Sequence, residues 1–179
     1  MASRERTSND GRLRIVTVGR ISAQKDPLFL ARVAQLVDVH SVAWMWVGDG
    51  DPALKAALLD SGIEVTGWVP NTEALALIAG ADLYFHPASW EGAPMTLLEA
   101  AAVGTAVLTR NIDTLCGLGF VTAGETSDQA AETIRKFIRD AEFRTSVRNE
   151  SLRTVSVHSA YAQRRALAEI YGREGEGVA

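Results

Sequence analysis

The feature that most constrains this chain is a repeating alternation. Short apolar runs are followed, time after time, by longer segments that carry helix-start signals. The apolar runs are 13–19 (LRIVTVG), 42–48 (VAWMWVG), 63–69 (IEVTGWV), 82–87 (DLYFHP), 105–109 (TAVLT) and 118–123 (LGFVTA). They are too short for core helices, rich in β-branched and aromatic residues, and bounded by turn residues, which predicts strands buried on both faces. Asp26-Pro27 and Asp51-Pro52 each set a capping aspartate before a proline whose missing N–H is harmless in a first turn, predicting helices over 26–39 and 51–62. Asn71 is the expected cap of a helix over 71–81, and Pro94 opens one over 94–104 that closes on Gly104. From Ser127 onward only helices are expected, over 127–139, 140–155 and 159–171. Strands alternating with helices mean βαβ units and a parallel sheet covered on both faces. Every strand-to-helix junction then falls on the carboxyl edge of the sheet, where open α/β folds bind ligands.

The length of 179 residues suits one such domain with a helical tail. Residues 1–12 read as a disordered leader, 13–158 as the α/β domain and 159–179 as a C-terminal helix and tail. The formal net charge of −4 lacks a nucleic-acid footprint. The charge is unevenly spread, because residues 131–179 carry a basic excess that includes Arg135, Lys136, Arg139, Arg144, Arg148 and Arg153. That excess suits solvated helix faces, or contact with an acidic membrane or a partner domain. Cys116 is the single cysteine, which excludes an intrachain disulfide and a thiolate metal cluster. The polar leader is unlike a signal peptide, and no apolar run approaches the roughly 18 residues a membrane span needs. A cytoplasmic location is expected.

Residues 89–104, SWEGAPMTLLEAAAVG, carry the chemistry most openly. They form a strand-to-helix junction, and a helix start offers unpaired N–H groups and a dipole that favour phosphate. Gly92 and Ala93 keep the loop small, and the outward donors would be the amides of Met95 and Thr96. Glu99 lies among Leu97, Leu98 and Ala100–Ala102, so its carboxylate needs a partner. A sugar diol would serve, and so would backbone or an arginine. On the first junction, Arg20 and Lys25 suit a diphosphate, or simple surface charge. GDGD at 48–51 lacks the third glycine of a dinucleotide fingerprint. Its D-x-D pattern suits a divalent metal, but turn and cap explain it more cheaply. His86 ends the fourth strand and is a candidate either for substrate contact or for packing. Trp44, Trp46 and Tyr84 read as core, whereas Trp68 sits at a strand end where it can border a base.

Taken in order, VGR…K, VGDG, VTGWV and EGAPMTLLEAAAVGTAV resemble the C-terminal nucleotide-sugar-binding domain of the GT-B retaining glycosyltransferases, particularly glycosyltransferase family 4. The resemblance covers roughly residues 13–171. It implies a Rossmann-like, three-layer α/β/α domain with about six parallel strands, one half of a GT-B fold. It further implies metal-independent transfer of a sugar from a UDP- or GDP-linked donor to an acceptor hydroxyl, in surface polysaccharide or glycoconjugate synthesis, with no cofactor. Carried over residue by residue, Glu91 contacts the donor sugar, Glu99 the ribose, and Arg20 and Lys25 the diphosphate. The amides of Met95 and Thr96 meet phosphate, and Trp68 and Val69 border the base. Gly19, Gly92 and Ala93 complete the implied substrate-binding set, and Glu91, Arg20 and Lys25 are its catalytic members. Two departures stand out: Gly-Ala-Pro replaces the usual Gly-Phe-Gly after Glu91, and Pro87-Ala88 replaces Pro-Ser. The N-terminal acceptor-binding domain of such enzymes is expected to lie outside this chain, which alone should bind nucleotide but transfer poorly. A peripheral membrane contact would belong to the full-length enzyme. The alternatives are a non-catalytic nucleotide-sugar module with a degenerate site and a sugar-nucleotide epimerase of the same architecture, against which the paired glutamates and the Arg-Lys loop speak.

Overall fold

The computed structural model describes residues 11–38, 40–92, 94–158 and, singly, 164 and 168. Among them six strands alternate with helices: β1 Leu13–Val18, α1 Pro27–Leu36, β2 Val42–Val47, α2 Pro52–Asp60, β3 Glu64–Val65, α3 Asn71–Ala79, β4 Leu83–His86, α4 Met95–Ala102, β5 Ala106–Thr109, β6 Val121–Thr122, α5 Ser127–Arg139 and α6 Ala141–Val157. The strands form one sheet in the order β3-β2-β1-β4-β5-β6, and every pairing is parallel. Side chains alternate between two apolar layers. Ile15, Trp44, Trp46, Leu83, Phe85 and Leu108 pack on one face with Phe29, Val33, Leu58 and Ile134. Val16, Val47, Tyr84 and Val107 pack on the other with Ile78, Leu97, Ala100 and Ala101. Burial on both faces is why the strands read as continuous apolar runs.

The Asp-Pro starts hold. Asp26 caps α1 by accepting from Phe29 N at 3.1 Å, and Asp51 caps α2 by accepting from Ala53 N and Leu54 N at 2.9 and 3.0 Å. Asn71 is not a cap. It is the first residue of α3, and Pro70 occupies the cap position without a side-chain bond. Pro94 likewise precedes α4 rather than opening it. In both places a proline takes the cap position, so α3 starts one residue earlier and α4 one residue later than expected. The third and sixth strands are shorter than their apolar runs. Both lie at sheet edges with a single neighbour, and beyond Val65 the chain turns so that Gly67 bridges antiparallel to Gly48.

The expected helix over 159–171 lies outside the described residues except for Arg164 and Ala168, both helical, and the leader lies outside them except for Gly11 and Arg12. Several basic groups near the C-terminal end are engaged locally. Arg135 donates to Leu36 O at 2.7 Å, Arg144 to Phe137 O and Ile138 O, Arg153 pairs with Glu150, and Lys136 lies 4.5 Å from the centre of the Phe143 ring. No helix among the described residues is long and apolar enough to cross a membrane.

The strand order positions the site. The chain winds outward from β1 through β2 to β3, then returns to the other side of β1 as β4. The strand order therefore reverses between β1 and β4, the place where open α/β sheets form a ligand crevice at their carboxyl edge.

Candidate functional site

The loop after β1 is laid across the end of β2. Gly19 N donates to Val47 O at 3.0 Å, Trp46 Nε1 donates to Gly19 O at 2.9 Å, and Ile21 N donates to Asp49 O at 2.9 Å. This seating explains GDGD. A Cβ on Gly48 would stand 2.2 Å from Gly19 O, and one on Gly50 would stand 2.1 Å from Ile21 O, so the backbones approach only because side chains are missing. Both carboxylates of the D-x-D pattern are engaged in local structure, Asp51 as cap and Asp49 with Gly50 N and Lys55.

The β1 loop is then stitched to the β4 loop. Ser89 N and Ser89 Oγ donate to Gln24 O at 3.0 and 3.1 Å, and Gln24 Nε2 donates to Trp90 O at 3.3 Å. The stitching carries Lys25 to Glu91, where Nζ forms an ion pair with Oε1. The same Oε1 lies 3.0 Å from His86 Nε2. Glu91 is only 7% exposed and His86 1%. Burial pushes the Glu91 carboxyl upward, but His86 and Lys25 outweigh it and hold the group at about 2. Burial pushes His86 down and nearby Lys25 adds to that, against the opposing pull of Glu91. A neutral imidazole that donates from Nε2 to Glu91 keeps Nδ1 as an acceptor, and Tyr84 OH lies 3.4 Å from it. Tyr84 OH also lies 3.0 Å from Thr96 Oγ1, and burial raises its ionisation well above the ordinary tyrosine range. Lys25, Glu91, His86, Tyr84 and Thr96 thus form one connected chain from the β1 loop through β4 to the first turn of α4.

A second cluster fixes the residue after Lys25. Asp26 sits at a φ of +48° and its carboxylate accepts both from Phe29 N and from Arg110 Nη1, the latter at 2.7 Å. Arg110 follows β5. Its guanidinium lies 4.0 Å from the centre of the Phe29 ring, and its backbone N donates to His86 O at 2.8 Å.

Of the residues singled out by sequence, Gly19, Lys25, Glu91 and Thr96 are brought together. Arg20 is exposed on the same loop, with no hydrogen bond or ion pair among the described residues. Met95 and Thr96 are the first two residues of α4, so their N–H groups have no intrahelical acceptor. Glu99, one turn further, is half-buried, and no hydrogen bond or ion pair reaches its carboxylate among the described residues. Trp68 stands 66% exposed on the loop after β3, while Val69 packs inward against the second apolar layer. Gly92 is exposed with open space at its Cβ position, and Ala93 lies outside the described residues. His86 does not face the crevice. It is buried behind Glu91 and touches that carboxylate instead. Arg110 and the Tyr84 hydroxyl were not singled out. Arg110 carried a usable signal, since it directly follows a buried strand and so belongs to the same edge as Arg20 and Glu91.

A family model described as glycosyl transferases group 1 matches residues 12–140. The chain belongs to the glycosyl transferases group 1 family. It is 30% identical over 115 residues to the UDP-Gal:alpha-D-GlcNAc-diphosphoundecaprenol alpha-1,3-galactosyltransferase of Escherichia coli, a match covering 54% of this chain and 27% of that protein. Among solved structures, Anabaena Alr3699/HepE in complex with UDP-glucose superposes with a TM-score of 0.74 at 16% identity, covering 90% of this chain and 49% of that one. The catalytic domain of cholesterol-alpha-glucosyltransferase from Helicobacter pylori superposes with a TM-score of 0.68 at 22% identity, covering 82% and 99%. These likenesses give the group 1 domain its fold, a Rossmann-like α/β/α unit of the GT-B kind. The domain spans a minority of the curated relatives it matches, 27% of one and 36% of another.

Proposed function

We propose that this group 1 domain is the donor-binding half of a metal-independent retaining glycosyltransferase, acting on a nucleoside-diphosphate sugar in surface polysaccharide or glycoconjugate synthesis. The observation that carries the proposal is the meeting of Lys25 and Glu91 in the crevice between β1 and β4, beside the N-terminus of α4. In this reading Arg20, Lys25 and the α4 dipole neutralise the diphosphate as it departs, the task that a metal would otherwise perform. Glu91 accepts hydroxyls of the donor sugar, and Glu99 receives the ribose diol. The Glu99 carboxylate, one helical turn beyond the phosphate-facing amides, has no hydrogen bond or ion pair among the described residues, which supports that assignment. Trp68 and the backbone at Val69 border the base. The acceptor would be held by a further domain, so this chain alone is expected to bind nucleotide and to transfer little sugar.

The test is calorimetric titration with UDP and GDP, with and without EDTA, on the wild-type chain and Glu99→Ala. Binding of one nucleotide that survives EDTA and is lost in Glu99→Ala is the expected result. Binding that vanishes with EDTA would overturn metal independence, and equal binding by Glu99→Ala would overturn the ribose assignment. Robust transfer by this chain alone would overturn the division of labour with an acceptor domain.

A further inference from the structure

Glu91 uses one oxygen twice. Lys25 Nζ and His86 Nε2 both meet Oε1, and no hydrogen bond or ion pair reaches Oε2 among the described residues. The Lys25 ammonium makes no other hydrogen bond or ion pair among the described residues. On the donor-site reading above, the two groups that should grip the two ends of a sugar diphosphate are therefore bound to each other when no donor is present. A diphosphate carries more charge than one carboxylate and competes directly for the ammonium group. Taking Lys25 away would normally strand a buried carboxylate, which is strongly unfavourable. His86 prevents that. It ends β4, is itself backed by Tyr84, and meets Oε1 through a contact of its own that does not involve Lys25.

From this geometry we infer that donor binding proceeds by exchange at Lys25, which leaves Glu91 for the diphosphate, and that His86 is the positioning residue that holds Glu91 for the sugar during and after the exchange. The inference rests on the donor-site assignment. It adds that Glu91 is a competitor of the diphosphate as well as a sugar ligand. It also adds that His86 affects nucleotide affinity only through Glu91.

The experiment is a double-mutant cycle read by titration with UDP and, in parallel, GDP. Glu91→Gln keeps the shape of the side chain and removes its charge, freeing Lys25. The expected result is tighter nucleoside-diphosphate binding, on the order of tenfold, equivalent to about 1.4 kcal/mol. His86→Leu leaves Lys25 as the sole partner of Glu91, so nucleotide binding weakens. In the Glu91→Gln background the same substitution has no effect, which a merely structural role of His86 would not produce. Unchanged or weaker binding by Glu91→Gln overturns the exchange, and so does an equal loss from His86→Leu in both backgrounds. The donor-site assignment fails separately, if neither nucleotide binds the wild-type chain or if Lys25→Ala binds as well as wild type.

Discussion

Glu91 is the residue on which the site's electrostatics can be tested without any ligand. Its carboxyl ordinarily titrates at 4.5 and is held at about 2 in the folded chain. Burial alone would raise it, so the depression is the work of His86 and Lys25 against desolvation. Each pH unit of separation between folded and unfolded values is worth about 1.4 kcal/mol, so the carboxylate contributes up to about 3 kcal/mol of stability at neutral pH. The sign follows from proton binding. The unfolded chain holds this proton more tightly, so the contribution is complete above 4.5 and is lost as the pH falls to about 2. His86 has the same sign but a different window, since its depressed folded value makes its contribution fade as the pH falls below 6.5. Glu91→Gln removes the carboxylate's share while leaving a residue of the same shape. Urea denaturation of wild type and Glu91→Gln at about pH 7, pH 5 and pH 3 reads the gap directly. The variant should be less stable near neutrality by an amount approaching about 3 kcal/mol, and the two curves should converge in acid. A gap that stays constant across the series would refute the claim that ion pairing holds this carboxylate.

Glu99→Ala should leave the unfolding free energy read by urea within about 0.5 kcal/mol of wild type, because the carboxylate has no partner to lose among the described residues, while abolishing nucleotide binding. Asp26→Ala removes the α1 cap and the Arg110 partner together and should cost about 2 kcal/mol in the same assay. Thr109→Val replaces a fully buried hydroxyl that lacks a hydrogen-bond partner among the described residues, so it should raise the thermal midpoint or leave it unchanged. A clear drop would show that the hydroxyl is bonded after all. Gly50→Ala places a Cβ against Ile21 O and should both destabilise the fold, by about 2 kcal/mol, and weaken nucleotide binding through displacement of the β1 loop.

Much of the scaffold was legible because the same physics writes both pattern and structure. Val42–Val47 reads as a strand because it is buried on both faces, and Asp51-Pro52 reads as a helix start because cap and first turn are local events. The edge strands were overestimated for the complementary reason. Of the apolar run 63–69 only Ile63 is buried, and pairing on one side only sustains Glu64–Val65. For the site, motif spacing points to Lys25 and Glu91, each of which lies on a strand-to-helix loop at the carboxyl edge. The sequence could not show that the two side chains touch, since that depends on β1 and β4 becoming neighbours. For His86 the sequence leaves substrate contact and packing both open, because a residue at a strand end can face the crevice or the layer beneath it, and here it is buried and meets Glu91 from within. Arg110 passed unremarked because its partner Asp26 lies 84 positions away.

The stitches between the two loops have a kinetic meaning. Ser89 and Gln24 are 65 positions apart, and Lys25 and Glu91 are 66. The intervening chain holds three whole strands, β2, β3 and β4, and three helices, and β2 and β3 can join the sheet before β1 meets β4. The crevice is therefore among the later products of folding, created when the outward-wound half of the sheet accepts the returning strand and closes a long loop. A nucleotide can grip only a chain in which that closure has happened. It would slow the escape from the native state while doing little to hasten arrival there.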